Sequence, residues 1–330
     1  MVRYLVRRVL GALLVLLVLS VVIYVIFYAL PGNPAQLVCG SKTCQADQLH
    51  RIEVALGLDQ PLYLQYWHFL VGLFVGRDLS GGPQMIHCAA PCLGYSYQTG
   101  EPVTSLLLDR LPVSASLVCG GFVIWVTVGV GLGVLSALRR GRPTDRIATS
   151  LTLAGTSTPV FLVGLLLLIV FCVQLQWMPF PGYVPFTDDP LLWAQNLVLP
   201  WIALAVVSAA VYTRLTRTSM LETLSEDHIR TFRAYGLSER AVISRHALRG
   251  ALTPLITIGT IDLATSLTGA TLTESLFGLP GLGQLLVTSV RNIDLPVVVG
   301  VTLLAGTVIV VANAAADILY SVADRRVVLS

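Results

Sequence analysis

Asp262, Ser266 and Gly269 fall on one face of a helix by their i, i+4 and i+3 spacing, with Thr265 beside them. They sit in an otherwise apolar stretch, Ala251–Leu272, that also carries Thr257, Thr260, Thr268 and Thr271. A carboxylate placed in hydrocarbon is costly and turns toward a bundle interior or an aqueous path. Two chemistries fit this face. It can line a path and hydrogen-bond a passing polar solute, or its hydroxyls and small side chains can hold one helix to another. Path lining is the expectation for Asp262, Thr265, Ser266 and Gly269. A third chemistry, an intramembrane protease using Asp262 with Asp317, fails on distance. The first lies mid-span and the second near the inner end of another span, too far apart to share a proton.

Sulfur offers a second constellation. Four of the six cysteines, Cys39, Cys44, Cys88 and Cys92, fall in one polar region between Pro31 and Pro112. On an oxidising face an even set suggests disulfides, and four cysteines allow three connectivities. Free thiols, or a metal site shared with His50 or His87, are the rival readings. The spacings Cys-x4-Cys and Cys-x3-Cys are a poor zinc signature, so no metal is expected.

The elements that must position these residues are membrane helices. Hydrophobic residues make up 55% of the 330 positions and charged residues 12%, about half the roughly 25% of a soluble domain. A net charge of +3 does not suggest nucleic acid. Runs long enough to cross ~30 Å of hydrocarbon, about 20 residues each, number six. They are Val9–Leu30, Val113–Leu138, Ile147–Leu175 (interrupted by Pro159), Asn196–Tyr212, Ala251–Leu272 and Pro296–Val322. Gly129 and Gly133 make a GxxxG step in the second, whose default reading is close helix packing. The expected class is therefore an all-α polytopic membrane protein.

Arginines orient it. Arg3, Arg7 and Arg8 precede the first span, and Arg139, Arg140, Arg142 and Arg146 separate the second from the third. Arg214, Arg217, Arg230, Arg233, Arg240, Arg245 and Arg249 lie between the fourth and fifth, while Arg325 and Arg326 follow the sixth. On the alternate side the short loop Gln176–Gln195 has no basic residue and Glu274–Leu295 has only Arg291, so both termini are expected in the cytoplasm. The first apolar run is longer than the core of a signal peptide, which favours an uncleaved span.

Outside the lipid, residues 31–112 form the one large extracytoplasmic region. It opens on the turn cluster Pro31-Gly32-Asn33-Pro34, continues through an amphipathic stretch Ala46–Leu58 and an aromatic-rich, interfacial Tyr63–Phe74, and ends in the Gly/Pro-rich Ser80–Gly100. On the opposite side, residues 214–250 form the most informative polar segment. Ser225 is placed to cap a helix of about ten residues whose first turn holds Glu226 and Asp227, with Gly236 as its stop. Ser238 and Glu239 begin a second, basic helix toward Arg249. Three regions follow: a first span at 1–30, the outer region at 31–112, and a five-helix core at 113–330.

Here the residues resemble a known family. Glu226–Ile256 reads EDHIRTFRAYGLSERAVISRHALRGALTPLI and is similar to the cytoplasmic "EAA" loop of binding-protein-dependent ABC importers, in the version of their dipeptide, oligopeptide and nickel permeases. Ile229, Arg230, Thr231, Arg233, Ala234, Gly236 and Leu237 match that pattern; Phe232 stands where alanine is preferred, and Gly250 where proline or asparagine is common. Five further blocks agree in order: Tyr4–Leu10 with its Pro31–Pro34 end; Leu56–Pro61 with Gln65-Tyr66; Arg110-Leu111-Pro112; Thr158–Phe161 with Gly164; and Glu274–Gly283, reading ESLFGLPGLG. Asp317–Tyr320 with Asp324 resembles the family's end, although Arg325 replaces the usual proline. The dipeptide/oligopeptide B-type permease subunit is the nearest match.

The resemblance implies a type I ABC importer permease fold, in which Glu226 to Leu237 couple to the cleft of a cytoplasmic ATPase subunit. The bulk of Phe232 implies a reshaped cleft. Glu274, Pro280, Gly281 and Gly283 would lie near an outer gate, where such backbone must be buried or line water. Asn313, Asp317, Tyr320 and Asp324, near the inner end of the last span, would make subunit contacts. Implied partners are a second related permease, one or two ATPase subunits and an extracytoplasmic binding protein. The cargo implied is short peptides, with nickel or another small solute as the alternative. No G-x-x-x-x-G-K-[ST] loop occurs, and Lys42 is the sole lysine, so ATP and magnesium are expected on partner subunits rather than on this chain. An ion-coupled secondary carrier usually shows internal repeats, and none is evident.

Overall fold

The computed structural model describes residues 2–29, 60–80, 85–96 and 98–323. The Pro31–Pro34 turn, the amphipathic Ala46–Leu58, Cys39 and Cys44, and Asp324 with Arg325 and Arg326, lie outside the described residues. Contacts divide the chain into two compact units, Met1–Val113 with Pro280–Val311, and Ser114–Leu279 with Ala312–Ser330.

In the first unit, α1 (Val2–Ala29) is followed by α2 (Leu62–Val75). Ile23 and Tyr24 of α1 and Phe69 of α2 pack with Val299 into one apolar cluster. Two small hairpins come next: β1 (Arg77–Ser80) pairs antiparallel with β2 (Met85–Cys88), and β3 (Tyr95–Ser96) with β4 (Glu101–Pro102). The outer region is thus not only helical, as expected, but carries strands where glycine and proline are dense. Cys88 and Cys92 are joined by a disulfide. Helix α3 (Val103–Leu138) begins ten residues before the apolar run that signalled it and carries Pro112 inside. Asp109 and Arg110 interrupt the run in sequence, yet the helical period turns Val103, Leu106 and Leu107 inward against Leu282, Leu285, Val297 and Val301.

The second hairpin is tied down by a buried carboxylate. Ser96 donates its hydroxyl to Asp294, which lies in the turn between α11 (Leu282–Arg291) and α12 (Leu295–Ala323). Burial pushes the Asp294 carboxyl above the ordinary carboxylate range, against the opposing pull of the Ser96 hydroxyl and the Val297 N–H. A raised folded-state value means that protonation favours the closed contact. It is fully present below the unfolded value and weakens as pH rises through the folded one. Protection of the amides of 95–102 against hydrogen exchange is therefore expected to be higher at about pH 4 than at about pH 7. Asp294→Asn should abolish that difference, and an unchanged difference in the variant would refute the assignment.

In the second unit, the expected third span, interrupted at Pro159, is two helices, α4 (Pro143–Ser157) and α5 (Val160–Leu167), the latter prolonged by a widened π-type segment Leu168–Gln174. They meet at 101°. Pro159 is the cause: the residue before a proline avoids the helical region, and Thr158 is extended at ψ 124. Helix α6 (Pro190–Ser225) is much longer than the apolar run Asn196–Tyr212 that pointed to it. Asp189 caps its start by accepting from the N–H groups of Leu191 and Leu192 at 2.9 and 3.0 Å. Beyond Tyr212 it continues as a polar helix through Arg214 and Arg217, residues expected in a loop. Among the described residues five helices are long and apolar enough to cross a membrane, six if the bent pair counts as one span, by length and composition. The structure has the mostly helical, polytopic class expected from the sequence.

Candidate functional site: the coupling segment and the polar span

Helix α7 (Asp227–Ala234) is the centre of the polar segment. Ser225 does not cap it. That residue closes α6, its hydroxyl bonding back to the carbonyl of Glu222 at 2.7 Å, and Glu226 takes the N-cap position without a side-chain cap. The helix is eight residues long rather than about ten. Gly236 follows at φ +79, a left-handed turn that glycine adopts without penalty, and ends the element. The second helix does begin at Ser238, whose hydroxyl accepts from the Ala241 N–H at 3.4 Å. It does not stop near Arg249. Through α8 (Glu239–Ala241) and a π-type segment Val242–Ala247 it runs on into α9 (Leu248–Gly269), so the polar segment is continuous with a span.

One apolar face holds α7 in place. Ile229 is fully buried with Met220, Val242, Ala247, Ala251 and Ala137, and Phe232 packs against the same cluster. The Phe232 ring also stacks on His246 at 3.9 Å. The half-buried Phe232 is thus packed in part within the chain. Arg233 is bound to Glu239 at 2.8 Å, and His228 to Glu226 at 2.9 Å. Arg230, Thr231, Ala234, Gly236 and Leu237 remain exposed, with Arg230 loosely paired to Asp227 at 3.5 Å. Tyr235, absent from the expected set, is 79% exposed beside Gly236. The signal was there in sequence: one large aromatic at the end of a short polar helix, the type of residue that anchors protein interfaces.

A buried ion pair braces this platform. Asp145 accepts from Arg217 at 2.7 and 3.0 Å, from the Gly141 N–H at 2.9 Å and from the Ser136 hydroxyl. The end of α3, the start of α4 and the polar end of α6 are thereby joined at one carboxylate.

In α9, Asp262 accepts a hydrogen bond from the Tyr212 hydroxyl of α6 at 2.9 Å. Asp262 and Ser266 are half-buried and Thr265 is exposed, its hydroxyl bonding back to the carbonyl of Ile261 at 3.0 Å. The chain therefore gives Asp262 a helix-to-helix role as well as a partly open position; the Thr268 side chain and the surroundings of Gly269 lie outside the described set. The expected gate segment is a helix–turn–helix rather than a loop. Glu274 lies in α10 (Thr271–Phe277), fully buried and accepting from Ser114 at 2.6 Å. Gly278 supplies the left-handed stop at φ +65, and Gly283 lies within α11, which begins just after Gly281. Pro280 offers its carbonyl to Arg110 at 3.3 Å. Asn313 and Asp317 fall on α12.

These features define a polytopic helical membrane protein with a short exposed helix mounted on its spans, the arrangement of a transporter's transmembrane component. Among solved structures, chains of the MetNI methionine ABC transporter in inward-facing conformations share this fold, with TM-scores of 0.54 and 0.56 over 67% and 68% of this chain and 98% of theirs, at 18% and 19% identity. The family model for the inner membrane component of binding-protein-dependent transport systems matches residues 129–329, and the model of that family's N-terminal region matches residues 1–118. The chain belongs to this family and is a multi-pass inner-membrane transport component. A putative peptide transport system permease protein of Brucella abortus (strain 2308) is 39% identical over 97% of both chains. A probable peptide ABC transporter permease protein of Sinorhizobium fredii is 34% identical over 98% of both. The glutathione transport system permease protein GsiC of Escherichia coli (strain K12) is 34% identical over 97% of both.

Proposed function

We propose that this chain forms half of the translocation pathway of an ATP-driven importer of short peptides, delivered by an extracytoplasmic binding protein. The observation that carries the reading is the mounting of α7: Ile229 is buried in a cup formed by α3, α6 and the foot of α9, while Arg230, Thr231, Tyr235 and Leu237 face outward. An ATPase subunit closing on the exposed face would move three helices together. Peptide cargo is supported by the names of the relatives at 34–39% identity. The arginine distribution supports cytoplasmic termini and a cytoplasmic α7.

In this reading the chain is not itself catalytic. It carries no phosphate loop, and one or two ATPase subunits bind ATP and magnesium. A second, homologous permease completes the pathway as a heterodimer. Work enters through the ATPases' different ATP affinity for inward- and outward-open states. Asp262, Thr265, Ser266 and Gly269 contribute to the path lining, while Glu274, Pro280, Gly281 and Gly283 contribute to the outer gate.

The test is ATPase activity of the reconstituted complex with and without peptide-loaded binding protein. Wild type should be stimulated by loaded binding protein. Gly236→Arg and Arg230→Glu should assemble yet lose that stimulation, and Tyr235→Ala should weaken ATPase-subunit association about tenfold, the effect of ~1.4 kcal/mol. Stimulation by nickel in place of peptide would overturn the cargo, and full stimulation of all three variants would overturn the coupling role.

A further inference from the structure

We infer that α2 is an interfacial membrane helix, docked in the cleft between α1 and α12 and presenting an aromatic face to the lipid of the outer leaflet. Its sequence, LYLQYWHFLVGLFV, contains no Asp, Glu, Lys or Arg. Fourteen residues rise about 21 Å, too short for ~30 Å of hydrocarbon, and an apolar segment of that length is either a core helix or an interfacial one. The helix is not a core element on all sides. Gln65, Phe69 and Gly72 are buried, whereas Tyr63, Trp67, Val71, Phe74 and Val75 form an exposed stripe at helical spacing, Trp67 at 62% and Phe74 at 73%.

Depth follows from its neighbours. Phe69 packs against Ile23 and Tyr24 of α1 and Val299 of α12, with Leu19, Tyr66 and Leu303 alongside. Tyr24 lies five residues before the last residue of α1, about 8 Å along the axis, and Val299 four residues after the first of α12, about 6 Å. Those levels lie just inside the ends of two spans, where α1 itself exposes Val18, Val22, Val25 and Ile26. The stripe on α2 therefore continues the lipid-facing surface of a span, and tyrosine and tryptophan are the residues of that boundary. Buried polar groups are satisfied internally, as lipid requires. Ser20 and Tyr66 hydroxyls meet at 2.8 Å, Tyr24 donates to Gln65 Oε1 at 3.3 Å, and Gln65 donates to the Gln60 carbonyl at 2.6 Å. Charge returns at once after the helix: Gly76 turns the chain at φ +81 into Arg77 and Asp78 of β1. A lipid-seated α2 anchors the hairpin of β1 and β2 at the membrane surface.

The experiment uses the assembled complex in vesicles of phosphatidylethanolamine and phosphatidylglycerol. A photoreactive benzoylphenylalanine replaces Trp67 or Phe74, and Phe69 in a buried control. Irradiation should yield phospholipid adducts by intact mass at 67 and 74, and none at 69. Adducts to the second permease subunit or the binding protein, or no lipid adduct at either exposed site, would overturn the proposal. A second readout needs only a mild variant. Tryptophan fluorescence quenched by lipids brominated near the headgroup end of the acyl chain should lose a component in Trp67→Phe. An identical quenching curve for both proteins would also refute it. Either failure leaves the permease assignment intact.

Discussion

Replacing Gly133 by leucine is expected to prevent the second unit from folding, and Gly133→Ala to lower its stability by about 1–3 kcal/mol. A Cβ built at Gly133 would stand 2.5 Å from the Thr216 Cβ and 2.7 Å from the carbonyl oxygen of Thr213; one at Gly129 would stand 2.6 Å from the Tyr212 Cβ and 3.0 Å from the carbonyl of Ala209. Both close contacts are with the backbone or branch atoms of α6, which cannot swing aside as a side-chain tip would. The GxxxG step thus lets α3 and α6 approach until their backbones nearly touch, and close packing is what associates helices where hydrophobic burial cannot. Gly131 is the internal control: it meets nothing within 4 Å. Gly131→Ala should be neutral or, through helix propensity, stabilising by up to about 1 kcal/mol. The check is the unfolding midpoint of the detergent-solubilised protein. Equal midpoints for Gly131→Ala and Gly133→Ala would show that the helices do not pack this way.

Asp145→Ala is the second substitution with a large expected effect, about 3 kcal/mol of destabilisation. It removes four hydrogen bonds and leaves Arg217, whose side chain is only 30% exposed, without its counter-charge. Arg217→Ala strands the more deeply placed partner, since the Asp145 side chain is 7% exposed. The two losses should not add. The double variant, which buries no unpaired charge, should be no less stable than either single variant, and the cycle yields a coupling energy of about 1–3 kcal/mol. Additive losses would show that the pair does not act as a unit. Because the pair braces the end of α6 beneath Met220 and Ile229, the single variants should also blunt stimulation of the ATPase at temperatures where the chain is still folded.

How much of this was legible in sequence depended on the range of the interaction. The apolar spans were readable because composition alone decides which segments hydrocarbon accepts. Their ends were not. Helix α6 outruns its apolar run to Ser225, and α3 starts at Val103 ahead of Pro112, because a helix may continue beyond the lipid wherever a few inward residues are apolar. Pro159 announced an interruption, but nothing local gives the angle between α4 and α5. The segment around α7 was readable from glycine and a matched pattern, although Ser225 was assigned to the wrong helix. A serine before an acidic pair satisfies the capping rule whether or not the preceding helix has ended. Pairs distant in sequence were invisible: Tyr212 with Asp262, Ser114 with Glu274, Arg217 with Asp145. Each residue alone reads as a solvated charge or a path-lining group, and only tertiary packing shows that it is held by another helix.

In the proposed reading this chain conducts short peptides when coupled through α7 to an ATPase. Its most direct test is uptake of a radiolabelled peptide into proteoliposomes holding the complex, with binding protein outside and ATP inside. Accumulation that requires ATP and loaded binding protein, and that is lost in Gly236→Arg while the complex remains assembled, is the predicted result. Peptide entry independent of ATP, or ATP-driven entry unaffected by that substitution, would rule out coupling through α7.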